Sequence, residues 1–232
     1  MLQNQLLDNA LSDMEKNMEI IAINGSPRKK GNSAAMLKSW LTGAKEENPA
    51  SGVQWIDLYD LAFTGCRSCF ACKRKNGLSY GECPIKDGIH DLIRAVYSAD
   101  AVGISYPIYF GELDAYTRCF LERAMFCKTT YRKNHDSLAP KPVPVTMIYT
   151  MNCPEELAAR HHYTMHWDDV EWYIANAFRH PVTRVCAYNT YQFDNYDDYE
   201  MEMFVESEKR KYRDEHFQND LAAAFQAGKT AI

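Results

Sequence analysis

The chain has 232 residues, of which 46% are hydrophobic and 25% charged, a composition typical of a soluble globular protein. Its formal net charge of −5 argues against a nucleic-acid partner or an anionic membrane surface. No apolar run approaches the roughly 20 residues of a transmembrane helix. Residues 1–17 carry Asp8, Asp13 and Glu15 and do not have the pattern of a signal peptide, so we expect a cytoplasmic protein.

Strand and helix patterns alternate along most of the chain. An amphipathic helix is predicted first, over Leu2–Met18, and a charged helix closes the sequence, with Gly228 and Lys229 as its predicted stop. Between them, five apolar runs are predicted to be strands: Glu19–Asn24, Val53–Leu58, Ala101–Ser105, Val143–Thr150 and Val182–Tyr188. Helices are predicted after Ser33 and over Gly88–Tyr97, Glu112–Phe126 and Glu155–Phe178. This alternation predicts an α/β protein with a doubly wound parallel sheet covered on both faces.

The domain prediction follows from the same pattern. Residues 1–18 form a helical arm, residues 19–190 an α/β domain that includes a cysteine-rich loop at 59–87, and residues 191–232 a helical extension. A loop as long as 59–87 inside a compact domain is usually functional.

The loop Gly25–Ser33 joins the first predicted strand to a helix. The start of a helix offers unpaired backbone N–H groups and the positive end of the helix dipole, so this loop is a candidate anion site. It matches neither the P-loop pattern nor the G-x-G-x-x-G pattern, which argues against a P-loop NTPase and a resident Rossmann-type NAD site. By itself, the loop is equally consistent with a polar turn capped by Ser33.

An aromatic turn, Ser105–Gly111, follows the third predicted strand. Ligands of open α/β sheets bind outside the carboxyl ends of the strands, at the point where the strand order reverses. This turn offers apolar packing and backbone N–H groups suited to a flat heteroaromatic ring. The alternative is that Tyr109 and Phe110 are ordinary core or interface residues.

Taken jointly, these two loops resemble those of the NADPH-dependent FMN reductase family of flavodoxin-like proteins. The resemblance covers about residues 19 to 190, includes the segment Leu121-Glu122-Arg123, and implies a five-stranded sheet in the order 2-1-3-4-5. It also implies an FMN site with three parts, namely a phosphate loop, a ring-binding turn and a third loop after the fourth strand. The residues implied are Ser26, Arg28, Gly31, Asn32 and Ser33 at the phosphate; Pro107, Ile108, Tyr109, Phe110 and Gly111 at the ring; and Thr150, Met151 and Asn152 in the third loop.

Four of the eight cysteines fall within eighteen residues, at Cys66, Cys69, Cys72 and Cys83. Three close thiols and one distal thiol can wrap a [4Fe–4S] cluster from a single loop, and this cluster of cysteines resembles that of the iron-sulfur flavoproteins, a branch of the same family. The spacing departs from that branch, because ten residues separate Cys72 from Cys83. Three interpretations therefore remain open: a [4Fe–4S] cluster, free or redox-active thiols, and structural zinc, whose four-cysteine sites usually come as two paired knuckles.

The resemblance implies an FMN oxidoreductase that takes electrons from NAD(P)H and passes them to a quinone, a nitro compound or another small acceptor. Because the cofactor carries the chemistry, no side chain is assigned as catalytic. The alternative function is an electron carrier in which the cluster relays electrons between a ferredoxin-like donor and FMN, and a third is a flavin-free interaction module. By analogy we expect a homodimer or homotetramer, with the N-terminal helix and the stretch Tyr188–Tyr199 as candidate contacts.

Overall fold

The computed structural model describes residues 18–232. The predicted N-terminal arm lies outside the described residues except for Met18. Within the described part of the chain, no helix is both long enough and apolar enough to cross a membrane.

Five parallel strands form the predicted sheet. In chain order the strands are β1 (Glu19–Asn24), β2 (Gly52–Asp57), β3 (Ala101–Tyr109), β4 (Glu112–Leu113), β5 (Val145–Thr150) and β6 (Val182–Ala187). The parallel strands lie in the order β2-β1-β3-β5-β6, which confirms the flavodoxin-like order predicted for five strands. The two-residue β4 pairs antiparallel with β3 and was not predicted.

Helices cover both faces of the sheet. They are α1 (Asn32–Glu47), α2 (His90–Ala95), α3 (Ala115–Lys128), α4 (Glu155–Arg160), α5 (Tyr163–Phe178) and α6 (Glu206–Thr230). In β1, Ile21 and Ile23 join the core beneath α2, α3 and α5, whereas Ile20 and Ala22 join the core beneath α1 and α6. This division follows from the alternation of side chains along a strand, and it explains why β1 is apolar at successive positions.

The C-terminal helix packs backbone to backbone on α1. A Cβ atom added at Gly228 would lie 1.9 Å from the carbonyl oxygen of Trp40, and one at Gly43 would lie 2.0 Å from that of Phe225. The prediction that Gly228 and Lys229 stop the helix is wrong, because α6 continues to Thr230. Gly228 allows the two helices to approach closely instead of ending one of them.

Two other boundaries differ from the prediction because of residues with positive φ. The helix predicted over Glu155–Phe178 is two helices, separated at His161 and His162, and His162 has φ +57°. The aromatic turn is a hairpin: β3 extends to Tyr109, and the chain reverses through Phe110 (φ 54°) and Gly111 (φ 87°) into β4. A two-residue connection with positive φ at both positions matches the twist of antiparallel strands.

Candidate functional site

The three loops predicted to contact flavin meet at the carboxyl edge of the sheet. They follow β1, β3 and β5, and because these strands are parallel neighbours their ends lie side by side. A cleft of about 770 Å³, called here the main cleft, opens between them. The predicted residues that line it are Ser26, Arg28, Gly31, Asn32, Ser33, Pro107, Ile108, Tyr109, Thr150, Met151 and Asn152.

The phosphate loop is held in shape by its own polar groups. Asn24 accepts a hydrogen bond from the backbone N–H of Ser26 (3.2 Å) and donates one to Asp57 (2.7 Å). The Ser26 hydroxyl accepts from the backbone N–H of Arg28 (3.1 Å). Gly31 occupies the N-cap of α1 and provides no side chain to cap it. The first N–H groups of α1 therefore remain available for an anion.

Buried hydroxyl groups tie the start of α1 to the ends of two strands. The Ser33 and Thr150 hydroxyl oxygens lie 2.7 Å apart, and the Ser105 hydroxyl donates to the Ser33 carbonyl oxygen (2.9 Å). Thr150 also bonds the Tyr106 carbonyl oxygen (3.3 Å). The predicted phosphate residue Ser33 thus also fixes the relative position of the first and third loops.

The opposite wall of the main cleft comes from a segment outside the predicted site. Arg28 donates to the carbonyl oxygen of Gln192 (2.8 Å) and lies over the ring of Phe193, and Asn32 donates to the carbonyl oxygen of Tyr191 (2.8 Å). Thr190, Asp194, Tyr199 and Arg213 also line this wall. The only sequence signal for this wall was the aromatic content of Tyr188–Tyr199, which we interpreted as a candidate subunit contact.

The two remaining predicted residues lie beside the main cleft rather than in it. Phe110 and Gly111 form the tip of the β3–β4 hairpin and line a second cleft of about 570 Å³, which shares Ile108, Met151 and Asn152 with the first. Trp167 donates its indole N–H to the Gly111 carbonyl oxygen (3.0 Å) and anchors the hairpin on α5. The side chain of Phe110 is fully exposed.

The polar groups of the main cleft fit the two ends of FMN. At one end, the uncapped start of α1 and the guanidinium of Arg28 match a phosphate. At the other, the buried Oδ1 atom of Asn152 accepts no hydrogen bond from the described residues. A buried acceptor normally has a partner, and an N–H on the edge of a flavin ring would supply one.

The four clustered cysteines line one small cavity. Cys66, Cys69, Cys72 and Cys83 surround it, together with Phe70, Phe126, Cys127 and Arg123. Burial raises the pKa of the Cys72 thiol; the ammonium of Lys73 opposes this shift, and negative charge on Cys66, Cys69 or Cys83 adds to it. Folding therefore brings together thiols that are up to seventeen positions apart in the sequence.

Arg123 is buried beneath this loop and binds it at four places. Its Nε donates to the Cys83 sulfur (3.4 Å) and its Nη2 to the Ile85 carbonyl oxygen (2.9 Å). Its Nη1 donates to Asp87 (2.5 Å) and to the Thr64 carbonyl oxygen (3.2 Å). A planar fork of five donors suits this task better than an ammonium would.

The cavity between the four cysteines is not shaped around a bound metal group. Among residues 18–232, no three His, Cys, Asp or Glu side chains are arranged to hold one metal ion. A [4Fe–4S] cluster makes a different demand, because each thiolate binds a different iron and the sulfurs stay apart. The enclosed space is about 10 Å³, so binding a cluster requires the four side chains to move outward.

Curated relatives match this chain over part of their length. An iron-sulfur flavoprotein of Methanocaldococcus jannaschii is 30% identical over 107 residues, which is 46% of this chain and 52% of that protein. An iron-sulfur flavoprotein of Archaeoglobus fulgidus is 33% identical over 109 residues, or 47% of this chain and 46% of that protein. The chain therefore spans about half the length of these relatives.

Solved structures match over nearly the whole chain. An NAD(P)H:quinone oxidoreductase from Methanothermobacter marburgensis has a TM-score of 0.66 at 16% identity, covering 92% of this chain and 96% of that one. An FMN-dependent NADH-azoreductase from Bacillus anthracis, solved in complex with FMN, has a TM-score of 0.62 at 14% identity, covering 93% and 100%. At these identities the likeness supports the fold.

A family model described as "Flavodoxin-like fold" matches residues 18–214, which span the sheet, all three loops of the main cleft and the start of α6. The chain belongs to this flavodoxin-like family, Flavodoxin_2.

Proposed function

We propose that this chain is an FMN-dependent oxidoreductase that takes electrons from NAD(P)H and passes them to a small acceptor such as a quinone or a nitro compound. The observation that carries the proposal is the main cleft, in which the three loops predicted to hold FMN meet around about 770 Å³. The family and the activities of the similar solved proteins support the same class of reaction. When bound, FMN would supply hydride acceptance and electron release.

The residues of the chain would bind and orient the cofactor. The start of α1 and Arg28 would hold the phosphate, and Asn152 would accept a hydrogen bond from the edge of the ring. Tyr109 at the end of β3 would lie against the ring, because it lines the main cleft while remaining about half exposed. The open outer side of the cleft would admit NAD(P)H, since the first loop has no dinucleotide fingerprint.

A spectrum followed by a reduction assay tests this proposal. We expect protein purified with added FMN to hold about one flavin per chain and to lose its flavin absorbance rapidly when NADPH or NADH is added without oxygen. Protein that binds no flavin would refute the cofactor. Protein that binds flavin but reacts with neither nicotinamide would refute the electron donor.

The cysteine cavity supports a second candidate function. We propose that Cys66, Cys69, Cys72 and Cys83 bind a [4Fe–4S] cluster and that the protein relays electrons between a ferredoxin-like donor and FMN. This is supported by the four thiols around one cavity and by the iron-sulfur flavoproteins among the relatives. Iron and sulfide assays on protein purified without oxygen would test the cluster. Rapid reduction by ferredoxin with indifference to NADPH would favour the relay over the reductase.

Oligomeric state and cellular location remain predictions. We propose a homodimer or homotetramer in the cytoplasm. Light scattering on purified protein would test the oligomer, and fractionation of cells that express the protein would test the location.

A further inference from the structure

The second cleft has features that FMN binding does not use. It lies beside the main cleft and shares Ile108, Met151 and Asn152 with it. Its other side is formed by the start of α6 and the residues just before it, Met203–Lys209. A molecule in this cleft would therefore lie next to the ring-binding loops without occupying the phosphate site.

The rim of this cleft is apolar and exposed. Phe110 is 104% exposed, Met203 87%, Val205 55% and Leu157 38%, and Tyr163 and Phe204 also line the walls. Large apolar side chains grouped around a concavity commonly mark a binding site. An apolar rim with aromatic side chains suits an aromatic ligand.

Lys209 adds a buried positive charge to this cleft. The residue is only 3% exposed, and its Nζ donates to the carbonyl oxygen of Asn152 (3.0 Å) and to Oδ1 of Asn189 (2.6 Å). An ammonium carries three N–H bonds, so one remains for a ligand. Its Nζ also lies 5.0 Å from the centre of the Phe204 ring.

The position of this lysine is electrostatically unfavourable. Buried charges are normally paired, yet no carboxylate among the described residues pairs with Lys209, and burial lowers its pKa to about 8. Lys209 also lies in the first turn of α6, where the helix dipole disfavours a cation. A ligand oxygen with negative charge would compensate for both costs.

We propose that this cleft, called here the lysine cleft, binds a planar aromatic electron acceptor that carries an ionised oxygen, with the ammonium of Lys209 paired to that oxygen. The proposal rests on the proposed function only for the role of the ligand as acceptor. In that role Lys209 is a specificity-determining residue, because it selects charged over neutral rings of the same size.

Two quinones of similar size test this preference directly. We expect 2-hydroxy-1,4-naphthoquinone, which is ionised at neutral pH, to bind at least about tenfold more tightly than uncharged 2-methyl-1,4-naphthoquinone, as charge-assisted hydrogen bonds require. The dissociation constants are measured by equilibrium dialysis on oxidised protein without NAD(P)H, so no turnover occurs. Equal affinities in the unmodified protein would overturn the proposal without any variant.

Variants assign the preference to Lys209. We expect Lys209→Met to lose the preference and Lys209→Arg to keep it. Lys211→Met is the matched control, because Lys211 lies two residues along the same helix, is exposed and pairs with Glu215, and it should change nothing. A Lys209→Met protein that keeps the preference would refute the role of this residue. A merely structural lysine would alter both affinities together.

The FMN content of every sample separates this inference from the proposed function. Protein that holds FMN but does not distinguish the quinones refutes the lysine cleft alone. Protein that binds no FMN but still prefers the ionised quinone refutes the flavin function and leaves the binding site standing.

Discussion

Within the described part of the chain, two cationic side chains are buried, and they lie in different functional regions. Arg123 lies beneath the cysteine loop and is 1% exposed, and Lys209 lies beside the main cleft and is 3% exposed. Each donates to a backbone carbonyl of the loop next to it, Arg123 to Ile85 and Lys209 to Asn152. Both cations therefore connect a helix to a loop at a candidate site.

The two cations differ in what balances their charge. Arg123 forms a salt bridge with Asp87, whose side chain is 18% exposed, whereas Lys209 has two neutral acceptors and no paired carboxylate among the described residues. A buried charge costs free energy unless it is paired. The comparison indicates that Arg123 stabilises a loop, while Lys209 costs stability where a ligand can gain from its charge.

The largest effect that we predict is a loss of iron bound by the cysteine loop. If the loop binds a cluster, Cys72→Ser should lower the iron content of anaerobically purified protein from about four atoms per chain to near zero. Cys127→Ser is the matched control, because Cys127 lines the same cavity but lies on helix α3, where its thiol donates to the Ala124 carbonyl oxygen. Equal loss of iron in both variants would contradict the assignment of ligands.

The next effect concerns the stability of the cysteine loop itself. Arg123→Met removes four interactions and leaves Asp87 without its cation, so we expect the free energy of unfolding to fall by about 3–5 kcal/mol. Urea unfolding of iron-free protein measures this loss without a contribution from a cluster. Arg118→Met should cost less than about 1 kcal/mol, since the Arg118–Glu122 pair is exposed. Similar losses in the two variants would show that Arg123 does not hold the loop.

Of the main cleft and the cysteine loop, the main cleft was the more predictable from the sequence. Loops that follow parallel strands lie at one sheet edge, and the strand order implied by the family resemblance makes the loops with Ser26, Pro107 and Thr150 neighbours. The hairpin at Phe110 and Gly111 was predicted only as a turn, because the pairing of Tyr109 with Glu112 depends on the chain reversing at that point. The residues that meet in the cleft could therefore be predicted where the strand order determines which loops are neighbours.

Residues that depend on distant packing could not be predicted. Lys209 belongs to the charged helix predicted at the end of the sequence, and it is buried because the start of α6 lies against the loop after β5. Gly228 carries no signal that distinguishes a helix stop from a close helix contact, since both require a small residue. The αL conformation at His162, a residue type without glycine's freedom, likewise depends on its surroundings.

On the flavin side, we predict a smaller loss of affinity from one side chain. Arg28→Ala should weaken FMN binding by about 10- to 100-fold, because a charge-assisted hydrogen bond to phosphate contributes about 1.5–3 kcal/mol. The dissociation constant is measured by titrating flavin fluorescence. Lys38→Ala, at an exposed position on helix α1 just after the phosphate loop, should have little effect. A change of less than about twofold in Arg28→Ala would mean that the N–H groups of α1 bind the phosphate without it.

The smallest effect that we predict is the contribution of Lys209 to the pH dependence of the free energy of unfolding. The folded-state pKa of Lys209 is about 8, below its ordinary value of 10.5, so between these values the unfolded chain holds a proton that the folded chain has released. Stability therefore rises with pH in this window, by at most about 1.4 kcal/mol per pH unit. The measurement is the difference in free energy of unfolding between the unmodified protein and Lys209→Met. We expect this difference to shift in favour of the unmodified protein by about 1–2 kcal/mol when the pH is raised from 7.5 to 9.5.

Three other ionisable groups line the lysine cleft with Lys209: the thiol of Cys153, the carboxylate of Glu208 and the phenol of Tyr163. Burial raises the pKa of the Cys153 thiol, so its own contribution to stability falls as the pH rises, opposite in sign to that of Lys209. Both proteins contain this thiol, and to first order its effect cancels in the difference between them. If the difference in free energy of unfolding between the two proteins stays constant from pH 7.5 to 9.5, Lys209 is solvated. Arg123 and Lys209 would then differ in their hydrogen bonds and not in how their charges are balanced.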